Sequence, residues 1–388
     1  MKWPLKRLAD LGAISTGSTP RTTESRFYGG DLPFVTPAEL DTGVPVMSTP
    51  RTLTEEGAAE ARVLPEGAVM VSCIGSLGKI GIAGRSLATN QQINSVVFER
   101  EKIWPKYGFY ACRLLKPKLD CMAPATTLPI VSKSKFAELT IPLPPLAEQR
   151  RIAEVLDRAE ALRDKRSTVL AQLASLTQSL FLDLFGDPTY NTKRFPSKPL
   201  SSLVRDDDTI NYGVVQPGDD HAEGIPLVRV GDLIEGKVRH ANLKRIAPSI
   251  EAAYKRSRLR GDEVLVSCVG SIGVVALASE SEKGFNIARA IARIPLTENT
   301  NRVFLSAYLN TDFVQRYFTN ELRTVSQPTL NIKQLSQTSV VLPPIELQRK
   351  FARRVTVVEK LKAAHRASLA ELDALFTALQ HRAFKGEL

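Results

Sequence analysis

Two textures alternate along the chain. Through residues 1–143, and again through 186–343, apolar residues come in short runs broken by frequent Gly and Pro. Ala68-Val69-Met70-Val71-Ser72 and Ser95-Val96-Val97-Phe98 belong to the first stretch, Glu263-Val264-Leu265-Val266-Ser267 and Val274-Val275-Ala276-Leu277 to the second. Runs of this length and β-branched content, bounded by turn residues, predict short strands, with helices around Lys106–Leu115 and Arg302–Phe318. From Leu146 to Phe185 there is neither Gly nor Pro, and apolar residues recur every three or four positions: Ile152, Val155, Ala159, Leu162, Val169, Leu173, Leu176, Leu180. The C-terminal stretch repeats the pattern with Phe351, Val355, Val358, Leu361, Leu369, Leu372, Leu375 and Leu379. Spacing sustained over four heptads predicts long helices that pair as a coiled coil, with Arg166 and His365 at matching places outside the stripe. Pro144-Pro145 and Pro343-Pro344 end the preceding strands and sit just ahead of a first helical turn, where a missing N–H costs nothing. Gly186 with Pro188, and Gly386, stop the two helices.

The pattern is written twice. Ser72-Cys73-Ile74-Gly75-Ser76-Leu77-Gly78 returns as Ser267-Cys268-Val269-Gly270-Ser271-Ile272-Gly273, 195 residues on, and Leu143-Pro144-Pro145-Leu146 with Gln149-Arg150 returns as Leu342-Pro343-Pro344-Ile345 with Gln348-Arg349, 199 residues on. Ile14–Gly17 lines up with Ile210–Gly213, and Pro33-Phe34-Val35 with Pro226-Leu227-Val228. Several blocks recurring in one order at nearly one offset make a duplicated domain plus its connector, since a solenoid unit is far shorter. The predicted organisation is a first domain over 1–143, a long helix over 144–185, a second domain over 186–343 and a second long helix over 344–388. The fold class is α+β: two similar mixed domains joined by two long antiparallel coiled-coil helices, related by a pseudo-two-fold axis. Roughly 38 helical residues at about 1.5 Å each make a rod of about 57 Å, long enough to act as a ruler between the domains.

Charge adds a partner class. Lys and Arg number 52 against 41 Asp and Glu, a net charge of +11, with a pI near 9.5. The excess is spread: 17 basic against 13 acidic residues in 1–143, 6 against 6 in 144–185, 20 against 17 in 186–343 and 9 against 5 in 344–388. An acidic partner is favoured, without a polybasic tail to hold it. Four cysteines (Cys73, Cys112, Cys121, Cys268) form no Cys-x-x-Cys pair and four histidines (His221, His240, His365, His381) show no ligand spacing, which argues against a zinc module or a disulfide framework. Met1-Lys2-Trp3-Pro4 leads into no apolar leader, and no run reads as a membrane span, so a cytoplasmic location is expected.

Catalytic motifs are not found. An amino-methyltransferase would carry Asn or Asp before Pro-Pro and an aromatic residue after it, whereas Leu143 and Leu342 precede the pairs here. There is no phosphate-binding Gly-x-x-x-x-Gly-Lys-Ser/Thr loop. Asp206-Asp207-Asp208 reads as a solvated loop, and Ser72-Cys73 with Ser267-Cys268 as packed strand ends, since no repeated His accompanies them. Glycine- and hydroxyl-rich turns recur instead, the kind that lets a backbone approach phosphate closely. Asn, Gln and Arg near such turns match base edges bidentately. The candidate DNA-binding residues are Thr19, Arg21, Thr22, Ser76, Lys79, Asn90, Gln91 and Gln92 in the first copy, and Tyr212, Gln216, Arg229, Ser271, Asn286 and Arg289 in the second, with Asn286 and Arg289 placed as equivalents of Asn90–Gln92. Candidate helix-pairing and subunit-docking residues are Ile152, Val155, Leu162, Leu173, Leu176 and Leu180, then Val358, Leu361, Leu372, Leu375 and Leu379. No residue set is a catalytic or metal site.

Taken together, Gly17-Ser18-Thr19-Pro20, the run Tyr28 to Val35, Leu64 to Gly78, Asn90-Gln91 and the signature Leu143 to Ile152 resemble the specificity subunit of type I restriction–modification systems. The second copy keeps Gly213, Pro226-Leu227-Val228, Gly261-Asp262, Ser267–Gly273 and Leu342 to Gln348, departs at Gln216-Pro217 and lacks the Tyr-Gly-Gly run. The resemblance implies two target recognition domains, each reading one half of a bipartite, asymmetric site on double-stranded DNA, with helices that set the gap. It implies docking of two modification subunits that methylate adenine with S-adenosylmethionine, and of restriction subunits that use ATP and Mg, in a bacterial or archaeal cytoplasm. None of these cofactors is expected on this chain. The alternatives are a self-contained methyltransferase or endonuclease with an unrecognised site, and a basic adaptor that binds no DNA.

Overall fold

A computed structural model describes residues 3–123, 128–321 and 328–388; Met1 and Lys2, which open the N-terminal stretch read above, lie outside the described residues. The chain divides into two compact units, Met1–Val169 with His365–Leu388, and Leu170–Ala364. Each unit therefore owns a globular part, half of one long helix and half of the other.

In unit one, an antiparallel sheet runs in the order Gly12–Thr16, Ile93–Phe98, Val69–Ser72, Ile80–Ile82. Val69–Ser72 is buried along its whole length, which is why it shows no polar alternation. Val69 and Val71 face the helix Pro105–Arg113, while Met70 faces a second core with Val35, Leu64 and Leu87. That second core belongs to another sheet, Thr52–Leu53, Tyr28–Val35, Leu87–Thr89 and Val63–Leu64. In it Phe34 and Val35 run parallel to Ala88 and Thr89.

Unit two repeats the plan. Asn211–Tyr212, Ile291–Ile294, Val264–Ser267 and Val275–Leu277 form the main sheet. Val264 and Val266 face a helical core, and Leu265 faces Val228 and Ile287. Leu227 and Val228 run parallel to Asn286 and Ile287. The helical segment expected over Arg302–Phe318 is two helices, Arg302–Leu309 and Asp312–Glu321, broken where the Asn310 side chain turns back to the Ser306 carbonyl at 2.8 Å. The acidic run is also different from expectation. Asp208 is no solvated loop residue: its carboxylate accepts from Arg293, whose side chain is 3% exposed. Arg293 also reaches Glu263, fully buried, at 3.2 Å and the Arg256 carbonyl at 2.8 Å. The sheet registers put Ala68 and Ser95 of the first copy at the places of Glu263 and Arg293.

Each domain closes on itself immediately before its long helix. Leu5–Arg7 pairs with Thr140–Pro142, and Ser197–Pro199 with Ser339–Val341. The helices then run Leu146–Phe185 (40 residues) and Ile345–Lys385 (41 residues), about 60 Å each. Their shared Gln now has a physical reason. Gln149 is fully buried; its Oε1 accepts the Trp104 N–H at 2.8 Å and its Nε2 donates to the carbonyls of Lys102 and Pro144, both at 2.9 Å. Gln348, equally buried, accepts the Asn301 N–H at 2.8 Å and donates to Pro343 at 2.7 Å. One amide thus ties the start of each long helix to the start of its domain's own helix.

Within unit one the two helical halves are antiparallel. Arg151 donates to the Leu388 carbonyl at 3.1 Å, Arg163 to Asp373 at 2.6 Å, and Arg166 lies 2.9 Å from His365 Nδ1, one number rising as the other falls. In unit two, Phe181 and Phe185 meet Phe351 at 5.8 and 5.4 Å between ring centroids. Of the residues predicted to pair, Ile152 and Val358 are buried and Val155, Leu173, Leu180, Leu372 and Leu379 are half-buried. Leu162, Leu176, Leu361 and Leu375 face solvent instead. Each half-helix also packs on its own domain, and a 3.6-residue turn that serves two neighbours cannot keep a strict 3.5-residue stripe on one of them. By length and composition Leu146–Phe185 is apolar enough to cross a membrane, contrary to the expectation of no such run. Phe181, Leu184 and Phe185 at its end lie in the core of unit two, while 17% of its apolar window is buried.

Replacing Gln149 or Gln348 by Leu strands a buried N–H and carbonyls, so each change should destabilise its unit by about 3 kcal/mol in urea unfolding. Arg293→Ser should cost about 3–5 kcal/mol by leaving Glu263 buried and unpaired. The triple change Asp208→Gly, Glu263→Ala, Arg293→Ser, which installs the first copy's residues, should recover only part of that loss in the same titration, because Glu263 also accepts the N–H groups of Arg260 and Gly261.

Candidate nucleic-acid interface

In each copy two loops cross at a glycine. Gly17 donates to the Ile93 carbonyl and Ser18 to that of Thr89, both at 3.0 Å. A Cβ on Gly17 would lie 2.2 Å from the Asn90 carbonyl oxygen, and one on Gly213 only 1.6 Å from that of Ile287. Such approaches admit no side chain, which explains both glycines without a left-handed φ. The crossing brings residues 17–22 beside 90–92, and 213–217 beside 288–290.

At the first crossing, Thr19 Oγ1 donates to Gln91 Oε1, fixing an exposed amide. Arg21 and Thr22 follow in the same loop, with the Arg21 side chain 84% exposed. Asn90 is buried and plays another part: its Nδ2 donates to Gln92 Oε1 at 2.9 Å and its Oδ1 accepts the Gln92 N–H at 3.1 Å, so this pair shapes the turn that presents Gln91. At the second crossing Arg289 and Gln216 are exposed. Cys73 donates its N–H to the Gln92 carbonyl at 2.8 Å and Cys268 to that of Ala290 at 2.7 Å, so Arg289 stands where Gln91 stands. Asn286 does not. It falls at the place of Ala88, fully buried, accepting from Ser257 at 2.7 Å and donating to the Tyr254 carbonyl at 3.0 Å.

The other candidates separate in the same way. Ser76 and Ser271 are exposed at the tips of the repeated turns. Those turns are tied internally: Ser72 and Ser267 donate to the carbonyls of Ser76 and Ser271, and their hydroxyls accept the N–H of Lys79 at 2.9 Å and Val274 at 2.8 Å. Gly75, Gly78, Gly270 and Gly273 all have φ between 75° and 80°. Burial pushes the Cys73 thiol up to about 11 and the Cys268 thiol up to about 12, far from a thiolate nucleophile. Lys79 is half-buried, 3.2 Å from the Pro37 carbonyl. Tyr212 donates to the Leu330 carbonyl at 2.7 Å, and burial raises its phenol to about 12. Arg229 braces its own loop through Asp232, 3.0 Å, and the Asn242 carbonyl, 3.1 Å.

Two features escaped the sequence reading. Arg62 joins the first crossing, donating to the Thr16 carbonyl at 2.5 Å while its N–H meets Ser18 Oγ at 3.2 Å. Lys255-Arg256-Ser257-Arg258-Leu259-Arg260 alternates exposed cations with buried Ser257 and Leu259, a period-two signal that was open to reading. Arg258 is held by Glu251 at 2.6 and 2.7 Å, and that guanidinium keeps the carboxyl below its usual range. Arg260 lies 3.4 Å from Asp208. Among the described residues no three His, Cys, Asp or Glu side chains gather as a metal site.

The chemistry on offer is therefore recognition: exposed amide, hydroxyl and guanidinium groups on rigid crossings, different in each copy. Comparison with known proteins gives this a family. The model of the type I restriction modification DNA specificity domain matches residues 1–173 and 206–374. The EcoBI type I restriction enzyme specificity subunit of Escherichia coli is 30% identical over 327 residues, 77% of this chain and 69% of that protein. The MjaIX specificity subunit of Methanocaldococcus jannaschii is 23% identical over 412 residues, covering 100% of this chain and 93% of the relative. Among solved structures, a chain from a study of complex assembly and conformational transition of the type I restriction–modification system is similar in fold, with a TM-score of 0.60, 21% identity and coverage of 100% and 98%. The S subunit of the type I system of M. genitalium also has a TM-score of 0.60, at 15% identity and coverage of 99% and 96%. A domain model matched by both copies, over most of the sequence, makes this chain a member of the type I restriction–modification specificity subunit family.

Proposed function

We propose that this chain selects the DNA sequence for a type I restriction–modification complex and leaves the chemistry to its partners. Each domain reads one half of a bipartite, asymmetric site on double-stranded DNA; the long helices set the gap between halves and dock two modification subunits, joined by restriction subunits in the full assembly. S-adenosylmethionine, ATP and Mg then belong to those partner chains. The observation that carries this reading is the duplicated crossing at Gly17 and Gly213, one backbone arrangement presenting Thr19 and Gln91 in one copy and Val215 and Arg289 in the other. A shared scaffold with unlike side chains is what two different half-sites require, because amides and guanidiniums discriminate base edges by about 1–3 kcal/mol per bidentate contact.

Arg289→Ala should relax one half-site and leave the other unchanged, read by methylome sequencing of a host that carries this gene with its modification partner. Affinity for DNA should fall with salt by about 0.9 log units per phosphate contact per log unit of salt; a flat response would favour the adaptor reading, and methylation by the lone chain would favour a self-contained enzyme. The ruler is tested at its midpoint, since Leu184 lies in the core of unit two and tolerates no insertion. Four extra residues after Val169, matched by four after Ala364, should lengthen the preferred gap while both half-sites stay as they are.

A further inference from the structure

The two copies part company at one place beside the long helices. In unit one, Phe376 lies between two guanidiniums, Arg113 at 5.1 Å and Arg163 at 4.8 Å from its ring centroid, with the Tyr110 ring 6.2 Å away. Glu160, its side chain 8% exposed, accepts from Arg113 at 2.8 Å and Arg163 at 3.3 Å. The repeat fixes the equivalents. Trp104 and Asn301 each donate an N–H to the buried glutamine, so Tyr110 corresponds to Ala307 and Arg113 to Asn310. Counting on from Gln149 and Gln348, Glu160 corresponds to Glu359 and Arg163 to Lys362. Phe384 meets Tyr107 at 5.4 Å as Phe185 meets Phe304 at 4.9 Å, which places Thr177 where Phe376 stands.

Ring, phenol and guanidinium thus give way to Thr177, Ala307 and Asn310. At that place unit two has an open cleft of about 910 Å³, lined by these three together with Glu359 and Lys362. Thr177 Oγ1 is buried without a hydrogen-bond partner among the described residues. Glu359 keeps Lys362 at 2.8 Å, yet its side chain is 32% exposed, four times the value for Glu160. Phe181, Leu182 and Val355 line the cleft beside the partly exposed Glu359 carboxylate, a lining that suits a ring and a cation presented together by a protein chain rather than a free small molecule.

We propose that this cleft receives an aromatic side chain accompanied by a guanidinium, carried by a protein chain that docks along the two long helices. Resting on the function proposed above, that chain is the modification subunit. The ring would take the place Phe376 holds in unit one, and the guanidinium would sit over it and against Glu359, as Arg113 does against Glu160.

The test uses the full chain with Cys121→Ser as background, since Cys121 is exposed whereas Cys73, Cys112 and Cys268 are buried. In that background Ala307→Cys places a thiol in the cleft, and iodoacetamide alkylation is followed by intact mass with and without purified modification subunit. The expected result is alkylation of the chain alone and its loss in the complex. A complex that forms, by light scattering, while the thiol still reacts overturns the inference and leaves the proposed function standing; failure to form any complex overturns both. As a second measurement, the variant Thr177→Phe, Ala307→Tyr, Asn310→Arg, which copies unit one into the cleft, should bind the modification subunit about 30-fold more weakly, the order of one lost aromatic anchor. Unchanged affinity of the folded variant overturns the inference.

Discussion

Everything in each copy is referred to one buried amide. A long helix that merely followed a domain could leave it in any direction, because Pro-Pro ends a strand without aiming what comes next. Gln149 and Gln348 remove that freedom. Each takes the first N–H of the domain's own helix and gives its amide hydrogens to the carbonyl of the first proline of its pair, with a third bond to the Lys102 carbonyl in the first copy. Both side chains are fully buried, where an unmade hydrogen bond costs the whole desolvation of the group, so these bonds have no competitor. The domain sheet, its covering helix and the first turns of the long helix then form one body, and the loops that cross at the glycine are carried on that sheet.

On this common frame the copies differ in the side chains it carries. The strands, the parallel pair and the glycine crossing are repeated with their register intact. The side chains mounted on the crossing are not, and neither is the sheet interior beneath them: the second copy carries a buried Arg293–Glu263–Asp208 cluster where the first has Ser95, Ala68 and Gly12. Buried ion clusters of this kind add little net stability over apolar or small neutral replacements. What this one does is hold a loop, since Glu263 also accepts the N–H groups of Arg260 and Gly261 at 2.7 and 2.9 Å. The basic run 255–260 is thereby fixed in place as part of the second domain's surface.

The sequence made the large features legible because each had a physical signal of its own. Long helices announce themselves by the absence of Gly and Pro, strand cores such as Val69–Ser72 by unbroken apolar runs, and the duplication by its offset. Side-chain roles were harder. Asn90 and Asn286 were grouped with Gln91 and Arg289 because amides near glycine turns suit base edges, yet an amide suits an inward hydrogen-bond network equally well, and composition cannot say which way it points. Leu162, Leu176, Leu361 and Leu375 fit a heptad but lie outward, because the helices answer to their domains as well as to each other. Asp208 looked solvated only because its partner Arg293 stands 85 residues away in the chain.

Arg166 and His365 occupy the same position of the repeat and meet each other at 2.9 Å. A neutral imidazole can accept from a guanidinium; two guanidiniums facing one another cannot make that bond and repel. A duplicated helix carries a hazard that unique helices do not, namely that the first half of one molecule can pair with the first half of another by the same geometry. Such a mismatched couple would bring Arg166 against Arg166 at its centre. Unlike residues at this matched position therefore disfavour pairing of the first long helix with its own copy from another polypeptide, by a difference in charge rather than in shape.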